Sequence, residues 1–412
     1  MDCRRSQVPS ACQQHARKAS GLHLHAVVMR PEWLKSFPVV LAVSRWRATT
    51  RRPRIRRSGW LVAAAAAVAL AAAWLNAPRH FVVVGRSMLP GLAEGEVVTV
   101  GGWPASWQSP ARHQQWLVRM PDGTSIVKRI AGLPGEQLAI DQGDLLINGE
   151  RQLPSLQLLS ETAADVRGGQ WTTAVRGDTT WREYQHRVTD LSKPQGHPDR
   201  LIPGPVYDSL DADPDERRRL EAVSNLGLTA LIDNSNAEAA TVFVRIGPQA
   251  AAIHLHDPRR HALIAGRLAG RFVVAAWPLP ESSPSLHALS RSPIPKPPDA
   301  TQPWTLITTA KLSSPAEAPV LALGIQGPEA LPTTIAPEDT LHIWRAIHHL
   351  PPANGTRSWS IPAGHVFLLG DYPSASRDSR HFGPVPTSNL LGPMQAARKK
   401  TAAPGVLQGR QP

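Results

Sequence analysis

The chain has 412 residues and a formal net charge of +13, from 45 Lys and Arg against 32 Asp and Glu. Hydrophobic residues make up 42% of the chain, which excludes a wholly disordered protein and allows two or three domains. Residues 1–58 hold 13 of the basic residues and two acidic ones, so the rest of the chain is nearly neutral. Because the charge is confined to one end, nucleic acid is not an expected partner.

An uncharged segment of 17 residues, Gly59 to Leu75, follows this basic arm. A helix of that length spans about 25 Å, and flanking arginines can extend it to the bilayer surface. We predict a transmembrane anchor at 59–77, with residues 1–58 in the cytoplasm and the rest outside. A buried Ala-rich helix and a cleaved signal peptide are the alternatives. Cleavage is disfavoured because Leu75 is large where a small residue is needed.

The only cysteines, Cys3 and Cys12, lie in the basic arm, so the exported part is expected to fold without disulfides. Residues 1–28 show no hydrophobic periodicity. Either they form a disordered tail or Met29 is the true start of the protein.

Short strands dominate residues 78–155, the predicted first part of a β domain, and no helix is expected there. Turn sequences such as Pro121-Asp122-Gly123 separate these strands. The predicted strands are Phe81–Val84, Glu96–Val100, Trp116–Arg119, Ser125–Ile130, Gln137–Ile140 and Asp144–Ile147.

Residues 156–355 are predicted to form an inserted β-rich domain, because strand-like runs recur at the spacing of an antiparallel sandwich. A short helix is predicted at 214–221 and a Pro-rich loop at 277–299. Short strands of the first domain return at 356–396, and 397–412 is predicted to be a disordered tail. The predicted fold is mainly β. The predicted strands of the insert are Leu226–Ile232, Ala240–Ile246, Ala251–Leu255, Arg271–Trp277, Trp304–Leu312, Val320–Ile325 and Leu341–Ile347.

Ser87 and Lys128 are the candidate reactive residues. A serine after a strand is by itself an ordinary turn residue. Lys128 is less ordinary, because it lies among Ile126, Val127 and Ile130, and burial there would lower the pKa of its amine. A neutral amine can serve as the general base for a serine nucleophile. The alternative is an edge-strand lysine that resists aggregation.

Three stretches of the chain, in order behind the predicted anchor, closely resemble the bacterial signal peptidase I family. These are Ser/Lys endopeptidases that remove signal peptides from exported proteins. The family signature S-M-x-P matches Ser87–Pro90, and its lysine signature matches Lys128–Glu136. Its C-terminal signature matches Gly370–Gly383, except that Tyr372 replaces the usual Asn. The resemblance covers residues 78–150 and 361–393.

The resemblance implies a role for each matching residue. Ser87 is the expected nucleophile, with its main-chain N–H in the oxyanion hole, and Lys128 is the expected general base. Ser376 is expected to orient the lysine amine. The expected structural ion pairs are Asp378 with Arg380 and Arg129 with Asp371. Two departures are Gly85, which offers no second side-chain donor for the oxyanion, and Gly91, where the family often has Thr.

The family also implies how substrate is bound. The signal peptide would add a strand between residues 81–84 and 125–127 and would be cut after an A-x-A site. The expected substrate-binding residues are Val83, Val84, Met88, Ser125 and Ile126. The expected partners are preprotein signal peptides and the lipid bilayer of the cell membrane. The protein is expected to be monomeric and to need no cofactor or metal.

Other features of the sequence carry weaker signals. The histidines at 254, 256, 261, 342, 348 and 349 lack a metal-binding pattern and are expected to be surface residues. The self-cleaving repressors also use a Ser/Lys pair, but they lack the anchor and the 370–380 signature. A single-pass exported binding protein with an inactive peptidase-like domain is the alternative from another functional class.

Overall fold

The computed structural model describes residues 57–75, 77–101, 108–190, 192–210, 220–234, 239–280, 293–295, 305–308, 320–326, 334–335, 341–350 and 358–398. Its helices are α1 (Arg57–Leu75), α2 (Leu156–Thr162) and α3 (Ser379–Phe382).

Short strands make up most of the described chain, so the fold is mainly β. In chain order, they are β1 (Arg79–Val82), β2 (Val97–Val100), β3 (Gln115–Arg119), β4 (Ser125–Gly132), β5 (Gln137–Asp141), β6 (Asp144–Ile147), β7 (Glu150–Arg151), β8 (Ala164–Asp165), β9 (Gly169–Arg176), β10 (Thr179–Thr189), β11 (Leu201–Pro203), β12 (Leu226–Asp233), β13 (Ala240–Ile246), β14 (Gln249–Leu255), β15 (Arg260–Leu268), β16 (Arg271–Pro278), β17 (Thr305–Thr308), β18 (Val320–Gln326), β19 (Thr334–Ile335), β20 (His342–Arg345), β21 (Ser358–Ser360), β22 (His365–Leu369), β23 (Val385–Pro386) and β24 (Leu390–Arg398).

One antiparallel sheet contains strands from both the N-terminal and the C-terminal parts of the chain. Its strand order is β1-β2-β24-β3-β4-β22-β23. A smaller sheet, β21-β5-β6-β7, packs against it, since Leu138 and Ile140 share a core cluster with Phe367 and Leu369. Because β22 pairs with β4, the C-terminal loop after β22 lies beside Lys128.

The middle of the chain forms two further antiparallel sheets. One contains β9, β10, β11, β13, β14 and β18, and the other contains β8, β12, β15, β16, β17, β19 and β20. Side chains from both, such as Val244 and Leu323 of the first and Leu228 and Phe272 of the second, share one buried cluster. The sheets therefore pack face to face, as the predicted sandwich requires. Helix α2 covers the other face of the second sheet.

Several predicted elements differ from the structure. Strand β1 begins and ends two residues before the predicted Phe81–Val84. The run at β15 was not predicted, because its alanines and Gly266 have low strand propensity, although burial on both faces stabilises it. Strand β24 was also not predicted, and it extends to Arg398, so the disordered tail predicted from residue 397 begins too early. Of the helix predicted at 214–221, residues 214–219 lie outside the described residues, and the last two are not helical.

The uncharged segment after the basic arm does form a helix, α1, over 19 residues. Among the described residues, however, no helix has both the length and the apolar character needed to cross a bilayer. The transmembrane anchor predicted at 59–77 is thus not shown by the structure.

Hydrogen bonds join the middle segment to the β5–β6 hairpin of the smaller sheet and to α3. The Asn225 side-chain amide donates to Asp144 Oδ1 at 2.5 Å. The main-chain N–H of His349 donates to the Gly143 carbonyl at 3.0 Å. The guanidinium of Arg380 donates to the Leu350 carbonyl at 3.1 Å.

Candidate active site

Ser87 lies in a turn that follows β1 and is buried, with 5% of its surface exposed. Gly85 has a φ of +90°, a conformation that favours glycine and lets the chain leave the strand direction. On either side of this turn, Val83 and Met88 are buried in one cluster with Val127 of β4. The two hydrophobic side chains thus hold the serine against β4.

Lys128 lies in the middle of β4, opposite Trp116 of β3, and only 3% of its surface is exposed. Its Nζ donates to Ser87 Oγ at 2.6 Å. Burial lowers the pKa of this amine from 10.5 to about 8, although the charges of Asp378 and Asp371 oppose the shift. Much of the amine is therefore neutral in mildly alkaline solution, and a neutral amine can accept a proton from the serine.

The loop after β22 packs on the Ser87 turn. The main-chain N–H of Tyr372 donates to the Ser87 carbonyl at 3.0 Å. A main-chain contact does not depend on the side chain, which explains how Tyr372 can replace the usual Asn of the signature. A Cβ on Gly370 would lie 2.6 Å from the Ser87 carbonyl oxygen and would also collide with the hydroxyl of Ser376. The close approach of the loop therefore requires glycine at this position.

Asp378 organises this loop. Its carboxylate accepts two hydrogen bonds from the Arg380 guanidinium, at 2.8 and 2.9 Å, and one each from the Ser376 hydroxyl and the Gly370 main-chain N–H. Burial alone would raise the pKa of Asp378, but the charge and hydrogen bonds of Arg380, aided by Lys128, hold it below its usual value. Asp378 also caps the N-terminus of α3. A buried carboxylate thus stays ionised near the lysine.

Ser376 was predicted to orient the Lys128 amine, but it contacts Asp378 instead. Its hydroxyl donates to Asp378 Oδ2 at 2.8 Å. In the described part of the chain, no hydrogen bond joins Ser376 to the Lys128 amine. Ser376 therefore reaches the lysine only through the carboxylate of Asp378, whose negative charge acts on the amine.

Arg129 and Asp371 form the second predicted ion pair. Arg129 Nε and Nη2 each donate to the Asp371 carboxylate at 2.8 Å. The guanidinium also donates to Glu161 of α2 at 2.9 Å and to the His113 carbonyl at 2.6 Å. Burial would lower the pKa of Arg129, but Asp371 and Glu161 outweigh it and raise that pKa.

Three residues of this arrangement were not predicted, and a fourth, His349, was expected to be a surface residue. Glu161 bonds to Arg129, and Gln115 donates to Asp371 at 3.2 Å. Burial, with Arg129 and Arg112 nearby, lowers the pKa of His113 to about 4. Burial and the charge of Arg380 lower the pKa of His349 to about 3. No sequence signal distinguishes these residues, because only the fold brings them to the site.

Two unpaired strand edges flank Ser87 and Lys128. Strand β1 is the edge of its sheet, and β22 pairs with β4 only from Arg129 onward, so residues 125–127 have one open edge in the described structure. Of the predicted substrate-binding residues, Ser125 and Val84 are partly exposed, whereas Val83, Met88 and Ile126 are buried.

The hydrogen bonds of β1 and β4 identify which main-chain groups remain available. Val83 gives its N–H to Glu96 and accepts from Gly95, so its main chain is already occupied. Because antiparallel strands alternate the direction of these groups, those of Val82 and Val84 point to the open edge. By the same alternation, Ser125 and Val127 face the open edge of β4, since Ile130 bonds to the β3 side.

Among the described residues, no group of three or more His, Cys, Asp and Glu side chains is arranged to hold a metal ion.

Comparison with known proteins identifies the family. The model of the family described as "Signal peptidase, peptidase S26" matches residues 56–199 and 335–397, half of the chain. Mitochondrial ATP-independent inner membrane protease subunits 1b and 1a from Arabidopsis thaliana are each 59% identical to the chain over 32 residues. Those alignments cover 8% of this chain and 19% of each relative, about a fifth of their length. With half of its residues matched, including those around Ser87, Lys128 and Asp378, the chain belongs to the signal peptidase family, peptidase S26.

Proposed function

We propose that this protein is an endopeptidase that removes N-terminal signal peptides from exported preproteins, cutting after an A-x-A site with Ser87 as nucleophile and Lys128 as general base. The observation that carries the proposal is the 2.6 Å contact between Ser87 Oγ and the buried Lys128 amine. Both groups are shielded from water, and the lowered pKa of the amine provides a base near neutral pH.

The reaction begins when neutral Lys128 takes the proton of the Ser87 hydroxyl and the oxygen attacks the scissile carbonyl. The protonated amine then returns this proton to the leaving amino group, and the signal peptide remains as an ester on Ser87. Lys128 next removes a proton from a water molecule, which hydrolyses the ester. The carboxylate of Asp378 stabilises the transient ammonium ion through its charge.

The tetrahedral intermediate needs a hydrogen-bond donor for its oxyanion. Within the described residues, the main-chain N–H of Ser87 has no hydrogen-bond partner, so it is available for this role. Gly85 supplies no side-chain donor. The main-chain N–H of Ser87 is therefore expected to contribute most of the stabilisation of the oxyanion.

The proposed substrate strand lies between the open edges of β1 and β4. Val82 and Val84 on one side and Ser125 and Val127 on the other offer main-chain groups for it. Membership of the signal peptidase family supports small side chains at the first and third positions before the cut.

We also propose that the protein works at a membrane. Large apolar side chains of α1 are exposed at Trp60, Val62 and Leu70, at about 70% each, and a basic segment precedes the helix. Both features favour attachment to an anionic bilayer. The predicted orientation, with residues 1–58 cytoplasmic and the β domain outside, is tested by protease accessibility in spheroplasts.

The test of the proposed activity uses the full chain in detergent and a preprotein with a single A-x-A site. Mass spectrometry of the product should show one cut directly after that site. Ser87→Ala and Lys128→Ala should each reduce cutting by at least about a thousandfold. An uncut preprotein would refute the proposal and favour a binding protein with an inactive peptidase-like domain. Ala variants as active as the parent would refute Ser87 as the nucleophile and Lys128 as the base.

A further inference from the structure

Helix α2 lies at the start of the middle segment. It packs on the sandwich along one face, and its last turn contacts the active site. Ser155 caps its N-terminus, accepting from the Leu158 N–H at 3.1 Å. Leu156 and Leu159 are buried in the cluster that includes Ile264 and Trp344 of the sandwich. The last turn of the helix reaches in the other direction, toward the active site.

The first contact of that turn is with the loop that carries Ser87. Gly91 lies four residues after the nucleophile, and a Cβ there would be 2.8 Å from the carbonyl oxygen of Glu161. No side chain fits at this distance without moving one of the two main chains.

The second contact is with the strand that carries Lys128. The Glu161 carboxylate accepts from Arg129 at 2.9 Å, and Arg129 directly follows Lys128. Arg129 also holds Asp371, and the next residue, Tyr372, binds the Ser87 carbonyl. One residue of α2 therefore touches the nucleophile loop through its main chain and the base strand through its side chain.

We propose that Glu161 is a positioning residue for the peptidase reaction, and that α2 holds the Ser87 turn and β4 in the arrangement that brings the hydroxyl to the lysine amine. The proposal rests on the proposed function and adds a role for the middle segment. It also predicts that a protein lacking residues 156–355 would lose activity, because the deletion removes Glu161.

Two variants test the two contacts separately. Glu161→Gln keeps the shape of the side chain and removes the charge that pairs with Arg129. Gly91→Ala places a Cβ too close to the Glu161 carbonyl oxygen. The matched control is Glu150→Gln, since Glu150 is an exposed acid on β7 outside the site. Displacing reacting groups by a fraction of an ångström lowers kcat, so we expect a loss of about tenfold for Gly91→Ala and about fivefold for Glu161→Gln. KM and the activity of the control should stay within about twofold of the parent.

A second readout separates positioning from a loss of folded protein. If β4 and the Ser87 turn separate, water reaches Lys128 and its pKa rises from about 8 toward 10.5. The losses in kcat should then shrink at higher pH, and Glu161→Asp should restore part of the activity at pH 7. A purely structural role would lower the melting temperature and the active fraction equally at every pH, and that result would overturn the proposal.

The Lys128 amine can also be observed without enzyme activity. The chain has eight lysines, so NMR of protein labelled at lysine Cε can follow the titration of Lys128. A raised Lys128 pKa in both variants, and not in the control, supports positioning by Glu161 even if no preprotein is cut, in which case the proposed function alone fails. An active parent whose two variants match the control in both kcat and Lys128 pKa overturns the role of Glu161 alone.

Discussion

Replacing Lys128 by methionine should stabilise the protein at neutral pH and abolish its activity. The amine has a pKa of about 8 in the fold and 10.5 as its ordinary value, so the folded state resists its protonation. At pH 7 this costs about 3 kcal/mol of folding free energy, and at pH 9.5 about 1 kcal/mol. The sign follows because the unfolded chain binds the proton more tightly, so stability from this group rises with pH between about 8 and 10.5. Methionine removes the cost while filling the same apolar space.

The assay compares the denaturation of the parent and Lys128→Met by urea at pH 7 and pH 9.5. The lost hydrogen bond to Ser87 offsets about 1 kcal/mol, so the variant should be more stable by about 2 kcal/mol at pH 7. The difference in unfolding free energy between variant and parent should be smaller at pH 9.5 than at pH 7, by about 2 kcal/mol. Using the difference between two proteins cancels the other groups that titrate in this range. A difference that is the same at both pH values, or a less stable variant at pH 7, would refute the reasoning.

Three further variants test the loop beside the serine. Asp378→Asn leaves Arg380 buried without its partner and should cost about 3–5 kcal/mol in urea denaturation at pH 7; since the pKa of Asp378 is lowered, the deficit should shrink as the pH falls below about 4, and a constant deficit would contradict an ionised Asp378. Gly370→Ala places a Cβ 2.6 Å from the Ser87 carbonyl and should lower kcat at least about tenfold, measured on a preprotein. Tyr372→Phe keeps the main-chain bond to Ser87, so kcat should stay within about twofold, and a large loss would show that the hydroxyl acts in the reaction.

The three sequence motifs contain Ser87, Lys128 and Asp378, which the structure brings close together. The local sequence accounts for part of this arrangement. Lys128 is surrounded in the sequence by aliphatic residues, which predicts its strand and its burial. The strand lengths and most turns are local properties, and several strands of the middle segment agree with their predicted ranges within one or two residues.

The parts that could not be predicted depend on long-range packing. Gly392 and Pro393 interrupt the pattern of β24, yet the strand fits between β2 and β3 because the register shifts on both sides. Helix α2 is only seven residues long, and tertiary contacts rather than helix propensity stabilise it. The pairing of Glu161 with Arg129 spans 32 residues and follows from the position of α2, so no local signal reveals it.

The most direct test of the Ser87–Lys128 mechanism is the pH dependence of kcat/KM for cleavage of a preprotein by the full chain. If neutral Lys128 is the base, the activity should rise with pH through an acid limb whose midpoint is near 8, because burial lowers the pKa of that amine to about 8. Ser87→Ala should remove the activity at every pH. An acid limb near pH 6.5, as histidine would give, or a flat profile below pH 8, would contradict a lysine base.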